Sequence, residues 1–403
     1  MSERRPSSER IPELAKKSLD SLQGHETLKK SKFEYVGSGG EHVVYRILKK
    51  RESAKAEGRN MVVKVSRRGM VEALTRLAVE RFREGAPTKA PEDVQARMRN
   101  AKDEDWEDPE TKLEGALNEE RMFLRAVRKH FPKDSRLAAR AMIGDIPLSP
   151  EVGEELLADV GIGDLAPTKT TEVKAIVRYQ EEISPEMMGE GSESFGTGYI
   201  EMTGVNLADY KVINGMILDE GSKFHPEMFR GALHGATVSL LEQSEKDEGL
   251  KTTMKDFVRR CIEFTNESGE MLDLIGGHNV QFYKDAEDKW KYVLIDVYAS
   301  SPWRKARETI SKLGGNDKLE RRETNEMMNA LSYARLVNGV AMELGMSERL
   351  DPFVNQDDKR VSMEDMSYSV FVNIGYHYSD EIKQRRAEQR AKEEVDDQQT
   401  ALD

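Results

Sequence analysis

Two apolar segments joined by a glycine turn, followed by a lysine set among valines, constrain this chain more than any other feature. The first part is Glu34-Tyr-Val-Gly-Ser-Gly-Gly-Glu-His-Val-Val-Tyr-Arg-Ile47; the second is Met61-Val-Val-Lys-Val65. The pattern predicts strand, glycine turn, strand, a charged loop over 49–60, and a third strand. Gly37 and Gly39 let main chain approach a ligand with no Cβ in the way. Such a turn can lie over nucleotide phosphates, with Val44 toward the adenine and Lys64 beneath. The valines around Lys64 bury its stem, so its ammonium must find an anion. Two simpler readings stand beside this one. The glycines can make only a hairpin, and Lys64 can be an edge-strand lysine that discourages aggregation.

Composition narrows the classes. The 403 residues are 37% hydrophobic and 34% charged, enough for a core with polar extensions. No apolar run approaches the roughly 20 residues that span a bilayer. The start, Met1-Ser-Glu-Arg-Arg-Pro, has no apolar h-region, so no signal peptide is expected. Cys261 is the single cysteine, which rules out an intramolecular disulfide and suits a reducing, cytoplasmic setting. It is expected to be a small buried apolar side chain. A net charge of −12 disfavours nonspecific nucleic-acid or anionic-membrane partners. The seven histidines have no metal-ligand spacing, and one cysteine cannot build a zinc site.

Along the chain we expect a polar extension over 1–30, a strand-rich part with inserted helices over 31–203, a helical part over 204–379, and a charged tail over 380–403. Met70, Leu74, Leu77, Ala78 and Phe82 share one helical face. Residues 84–112 read as an inserted helix and loop. A helix over Leu117–Lys129 is expected to turn Leu117, Met122, Leu124 and Val127 inward and to end before Pro132. Residues 133–170 read as loop with a helical piece over 151–160. Strands are expected at Val173–Tyr179 and Tyr199–Met202. Helical spacing then links Phe229, Ala232, Ala236 and Leu240, and again Met327, Leu331, Ala334 and Ala341. A hairpin over Asn279–Tyr283 and Tyr292–Val297 interrupts this half.

Several pieces, taken in order, resemble protein kinases. Gly37-x-Gly39-x-x-His42-x-Val44 is similar to the kinase glycine loop, with His42 in place of the third glycine. Val63-Lys64 resembles the end of the V-A-I-K motif. Leu117–Val127 resembles the helix whose glutamate holds that lysine, here Glu119, with Glu72 and Glu80 as rivals on the preceding helix. Tyr199–Leu207 resembles the hinge segment, where the backbone near Glu201 and Met202 would read adenine. Asp273-Leu-Ile-Gly-Gly-His-Asn279 resembles the catalytic loop D-x-x-x-x-N, and Leu294-Ile-Asp296 the strand end that carries the metal-binding aspartate.

The resemblance, to the protein-kinase-like superfamily over about residues 33–350, implies a two-lobed α+β fold that binds ATP with Mg²⁺. It implies Lys64 on the phosphates, Asn279 and Asp296 on the metal, and Asp273 toward an acceptor hydroxyl. There are departures. HRD is missing, Asp273 precedes Asn279 by six positions rather than five, Asp296-Val-Tyr replaces DFG, and no A-P-E follows. The Ile-Asp-x strand is closer to aminoglycoside and choline-type kinases. The expected activity is therefore phosphoryl transfer to a hydroxyl of a protein or small molecule. A nucleotide-binding pseudokinase or scaffold, with Asp273 only capping the loop, and a nucleotidyl transferase are the alternatives. Asn279 can also be a plain turn residue. His42 and His278 carry no assigned role.

Overall fold

A computed structural model describes residues 32–38, 42–48, 61–100, 109–181, 191–196, 226–274, 279–298, 303–312 and 319–352. Residues 138, 149, 159, 232 and 234 are excepted, and isolated positions between 182 and 190 and between 353 and 373 are added. Among the described residues the fold is α+β, with two antiparallel sheets. It divides into two compact units, residues 1–125 with 137–184 and residues 126–136 with 185–403.

The first unit is built on a five-stranded sheet. Its strands are β1 (Lys32–Ser38), β2 (His42–Leu48), β3 (Met61–Ser66), β4 (Ala139–Leu148) and β5 (Thr171–Glu181), in the order β1-β2-β3-β5-β4. The valine-rich β3 and the alternating β5 form as the sequence predicts. The strand β4 was not expected, because Gly144, Asp145 and Pro147 read as loop. It lies at the sheet edge, where a proline costs no central ladder bond. Helices α1 (Arg67–Arg83), α2 (Glu92–Asn100), α3 (Pro109–His130) and α4 (Pro150–Ala158) complete this stretch. Ser66 caps α1 by accepting from Gly69 N at 3.3 Å. Met70, Leu74 and Ala78 of α1 pack with Val63, Val65, Val173, Ala175 and Val177, and Leu156 and Leu157 of α4 join them. The expected inward stripe of α3 needs correction. Leu117, Glu120, Phe123 and Val127 are buried, whereas Met122 is 50% exposed. The i, i+3, i+6, i+10 set fits the helix turn better than the set that includes Met122.

The second unit holds a three-stranded sheet, β6 (Glu193–Phe195), β7 (Val280–Lys284) and β8 (Trp290–Leu294). Its helices are α5 (Pro226–Arg230), α6 (Gly235–Ser244), α7 (Glu248–Ser268), α8 (Trp303–Ile310) and α9 (Arg321–Glu343). The stripe Phe229 to Leu240 thus spans two helices rather than one. Phe195, Phe257, Phe282 and Tyr292 meet edge-on or tilted, with ring centroids 5.1–6.0 Å apart. Asp247 caps α7 by accepting from Gly249 N and Leu250 N, and Gly269 ends it at φ 68, a left-handed position that favours glycine. Cys261 is fully buried, as expected, and burial pushes its thiol far above the usual range. The helix α9 is buried on nearly every side. Among the described residues no helix is long and apolar enough to cross a membrane.

Candidate functional site

In the first unit the register builds a row across the sheet. Gly37 pairs with Val44, Val44 with Lys64, Lys64 with Arg178, and Arg178 with Ala141. The pairing of β1 shifts between Tyr35 and Gly37, a bulge at the position where the sequence supplies a glycine. Directly paired residues point to the same face, so Lys64 and Arg178 stand side by side. That face is opposite the one carrying Val63 and Val65. Lys64 is only 7% exposed. Its neighbour Arg178 donates from Nε to Glu120 Oε1 at 2.6 Å, and both groups are buried.

This geometry bears on which glutamate serves the lysine's face. The helix α1 packs on the Val63 and Val65 face, so its Glu72 and Glu80 start from the wrong side of the sheet. Both are exposed; Glu72 meets Lys112 at 3.1 Å and Glu80 meets Arg76 at 3.3 Å. From α3, Glu120 enters the buried face, and Glu119 beside it is half-buried. Gly39, Glu201 and Met202 lie outside the described residues, as does the loop over 49–60.

In the second unit the hairpin and the loop before it gather three further predicted residues. Ile295 N donates to Asn279 O at 2.8 Å, which sets Asn279 and Asp296 at one end of the β7–β8 pair. Asp273 N donates to Val297 O at 2.9 Å, and Leu272 bridges Tyr298. Asn279 Nδ2 donates to Asp273 O at 3.0 Å. The backbone of Asp273 is thus bonded on one side to the residue after Asp296 and on the other to Asn279. All three side chains are half-buried.

The donor set fits a hard cation in character. Carboxylate and amide oxygens are what Mg²⁺ selects, and such sites complete their shell with water and substrate phosphate. Because Asn279 spends its amide nitrogen on Asp273 O, its Oδ1 is the end left to ligate. Among the described residues no group of three or more His, Cys, Asp or Glu side chains could hold a metal. A cation here therefore depends on the amide and on a ligand's own oxygens.

The chain matches no protein-family model, no curated protein and no solved structure.

Sequence reasoning missed Arg178 and Glu120. In β5 Lys174, Ile176, Arg178 and Gln180 alternate with Val173, Ala175, Val177 and Tyr179, which reads as a solvent face. The unexpected β4 makes β5 an interior strand, and Arg178 and Gln180 become buried. The signal was present in the helix: a glutamate in register with Leu117, Phe123 and Val127 has no place on an apolar stripe without a cation.

Proposed function

We propose that the protein is an ATP- and Mg²⁺-dependent phosphotransferase of the two-lobed protein-kinase-like kind, acting on a hydroxyl of a protein or small molecule. The observation that carries this reading is the clustering of Asp273, Asn279 and Asp296 backbone at the end of one hairpin, in the order of the kinase motifs that these segments resemble. A buried lysine on a strand next to a glycine-bulged hairpin supports it from the other unit.

In this reading Lys64 offers a fixed cation to nucleotide phosphates, with Gly37, Gly39 and Val44 around it and Glu119 as its carboxylate. Backbone near Glu201 and Met202 reads the adenine. Asn279 Oδ1 and Asp296 are the metal ligands, and the metal neutralises charge on the transferred group. Asp273 accepts or orients the proton of the attacking hydroxyl.

ATP labelled at the γ- or the α-phosphate, incubated with acceptor mixtures and Mg²⁺, tests the reaction. Product labelled from γ alone supports the kinase. Product labelled from α indicates nucleotidyl transfer, and no labelled product from either indicates a binding module.

A further inference from the structure

We propose that Gln281 binds the nucleoside half of the nucleotide, its side-chain amide donating to a lone pair on the sugar or the base; this rests on the phosphotransfer reading above. The second sheet has two unlike faces. On one, Phe195, Phe282 and Tyr292 pack against Phe257 of α7 at ring-centroid distances of 5.1–5.6 Å. The other carries the row Ser194, Gln281 and Val293, paired directly across β6, β7 and β8. All three are buried, and Gln281 is 4% exposed. Among the described residues Gln281 makes one hydrogen bond, in which Oε1 accepts from Ser194 Oγ at 2.9 Å. That bond decides which end of the amide is left over. Nε2 carries two N–H donors and meets no acceptor among the described residues. A buried donor without a partner is costly, and buried polar side chains are ordinarily satisfied by protein, water or a ligand.

What this donor meets follows from its place. Successive strand residues alternate between faces, and the bond from Ile295 N to Asn279 O continues the β7–β8 ladder by one pair. Asn279 and Gln281 therefore share a face, about 7 Å apart along the strand. Asn279 is the residue assigned to the metal, and so to the phosphates. Beyond the phosphates of a nucleotide come the sugar and then the base. Both offer neutral acceptors, as ribose oxygens and ring nitrogens. A neutral amide donor suits such atoms, whereas an anionic phosphate is held more strongly by a cation.

The test is calorimetric titration of wild type and Gln281→Met, in the full chain, with Mg-ATP and with Mg-tripolyphosphate. Tripolyphosphate keeps the metal and phosphate contacts and lacks sugar and base. Methionine keeps the side chain's length and has no donor. We expect Gln281→Met to bind Mg-ATP about tenfold more weakly and Mg-tripolyphosphate within about twofold of wild type. ATP analogues locate the acceptor. The analogue that lacks it should bind wild type about tenfold more weakly than ATP and lose nothing further in Gln281→Met. That analogue is 2′-deoxy- or 3′-deoxy-ATP if the acceptor is on the sugar, and 1-deaza-, 3-deaza- or 7-deaza-ATP if it is on the base. Wild-type affinity for Mg-ATP in a Gln281→Met protein that melts near wild type would overturn the inference and leave the phosphotransfer reading standing. So would an equal loss for tripolyphosphate. Full affinity of wild type for all five analogues overturns it with no variant needed. A wild type that binds neither Mg-ATP nor Mg-tripolyphosphate defeats the phosphotransfer reading itself, and the role of Gln281 falls with it.

Discussion

The two units hold their charged residues by different means. In the first, Lys64, Arg178 and Glu120 are buried, and the Arg178–Glu120 contact balances charge by direct side-chain pairing. In the second, Asp273, Asn279 and Asp296 are half-buried and are placed by backbone hydrogen bonds of the loop and hairpin. Buried ion pairs are costly to break, because the survivor keeps its charge in a poor solvent. Backbone-set side chains can be exchanged for near-isosteres with little effect on folding. Substitutions in the first unit should therefore act largely on stability, and those in the second on chemistry.

The largest expected effect is on turnover. Asp273→Asn keeps the shape and removes the proton acceptor, so rate should drop about 10²–10⁴-fold with ATP affinity nearly unchanged. Paired measurements of kcat and nucleotide binding check it. Unchanged, nonzero turnover would leave Asp273 as a loop cap and erase the contrast with the first unit.

On the sheet, Glu120→Ala should cost about 3–5 kcal/mol, since the buried Arg178 loses the carboxylate that it donates to. Denaturant midpoints read this directly. Replacing both, Glu120→Leu with Arg178→Leu, should recover much of the loss. If the single variant is as stable as wild type, the pair is not what balances this face.

Lys64 sharpens the comparison, because it sits beside Arg178 and is assigned a different task. Lys64→Met keeps the buried stem. It should weaken Mg-ATP binding by about 1–3 kcal/mol through loss of one charge-assisted contact. Calorimetric titration of a variant that melts near wild type would show it. A large loss of stability with intact nucleotide binding would make Lys64 structural like its neighbour.

The smallest effect is a pH slope. Burial lowers the pKa of His130 below the ordinary 6.5. As pH falls through that value the unfolded chain takes up a proton before the folded one does. The contribution is therefore fully present above pH 6.5 and is lost below it. His130→Gln should flatten the fall in melting temperature between about pH 7.5 and 5.5. An identical slope in both proteins would show that other groups set it.

Where one periodicity dominated, the sequence was readable. The valines of β3, the alternation of β5 and the hairpin of β7 and β8 all formed, because each segment buries a face set by its own spacing. Reading failed where burial depends on a distant partner. The strand β4 is made acceptable by its place at the edge, and Arg178, which alternation alone sets on a polar face, is buried against Glu120 of α3. The stripe Met327, Leu331, Ala334 describes one face of α9, but buried residues lie on nearly every side of that helix, so period alone understated its burial. Asp273, Asn279 and Asp296 come together because hydrogen bonds of the loop and hairpin, Asp273 N to Val297 O, Ile295 N to Asn279 O and Asn279 Nδ2 to Asp273 O, link segments that are close in sequence.

The proposed function requires that Asp296 make nucleotide binding depend on magnesium. Calorimetric titration of ATP into wild type and Asp296→Asn, each with and without Mg²⁺, measures it. We expect wild type to bind more tightly with Mg²⁺, and Asp296→Asn to fold normally and lose that enhancement. ATP binding with no response to Mg²⁺ in wild type, or a full response in Asp296→Asn, would contradict the assignment.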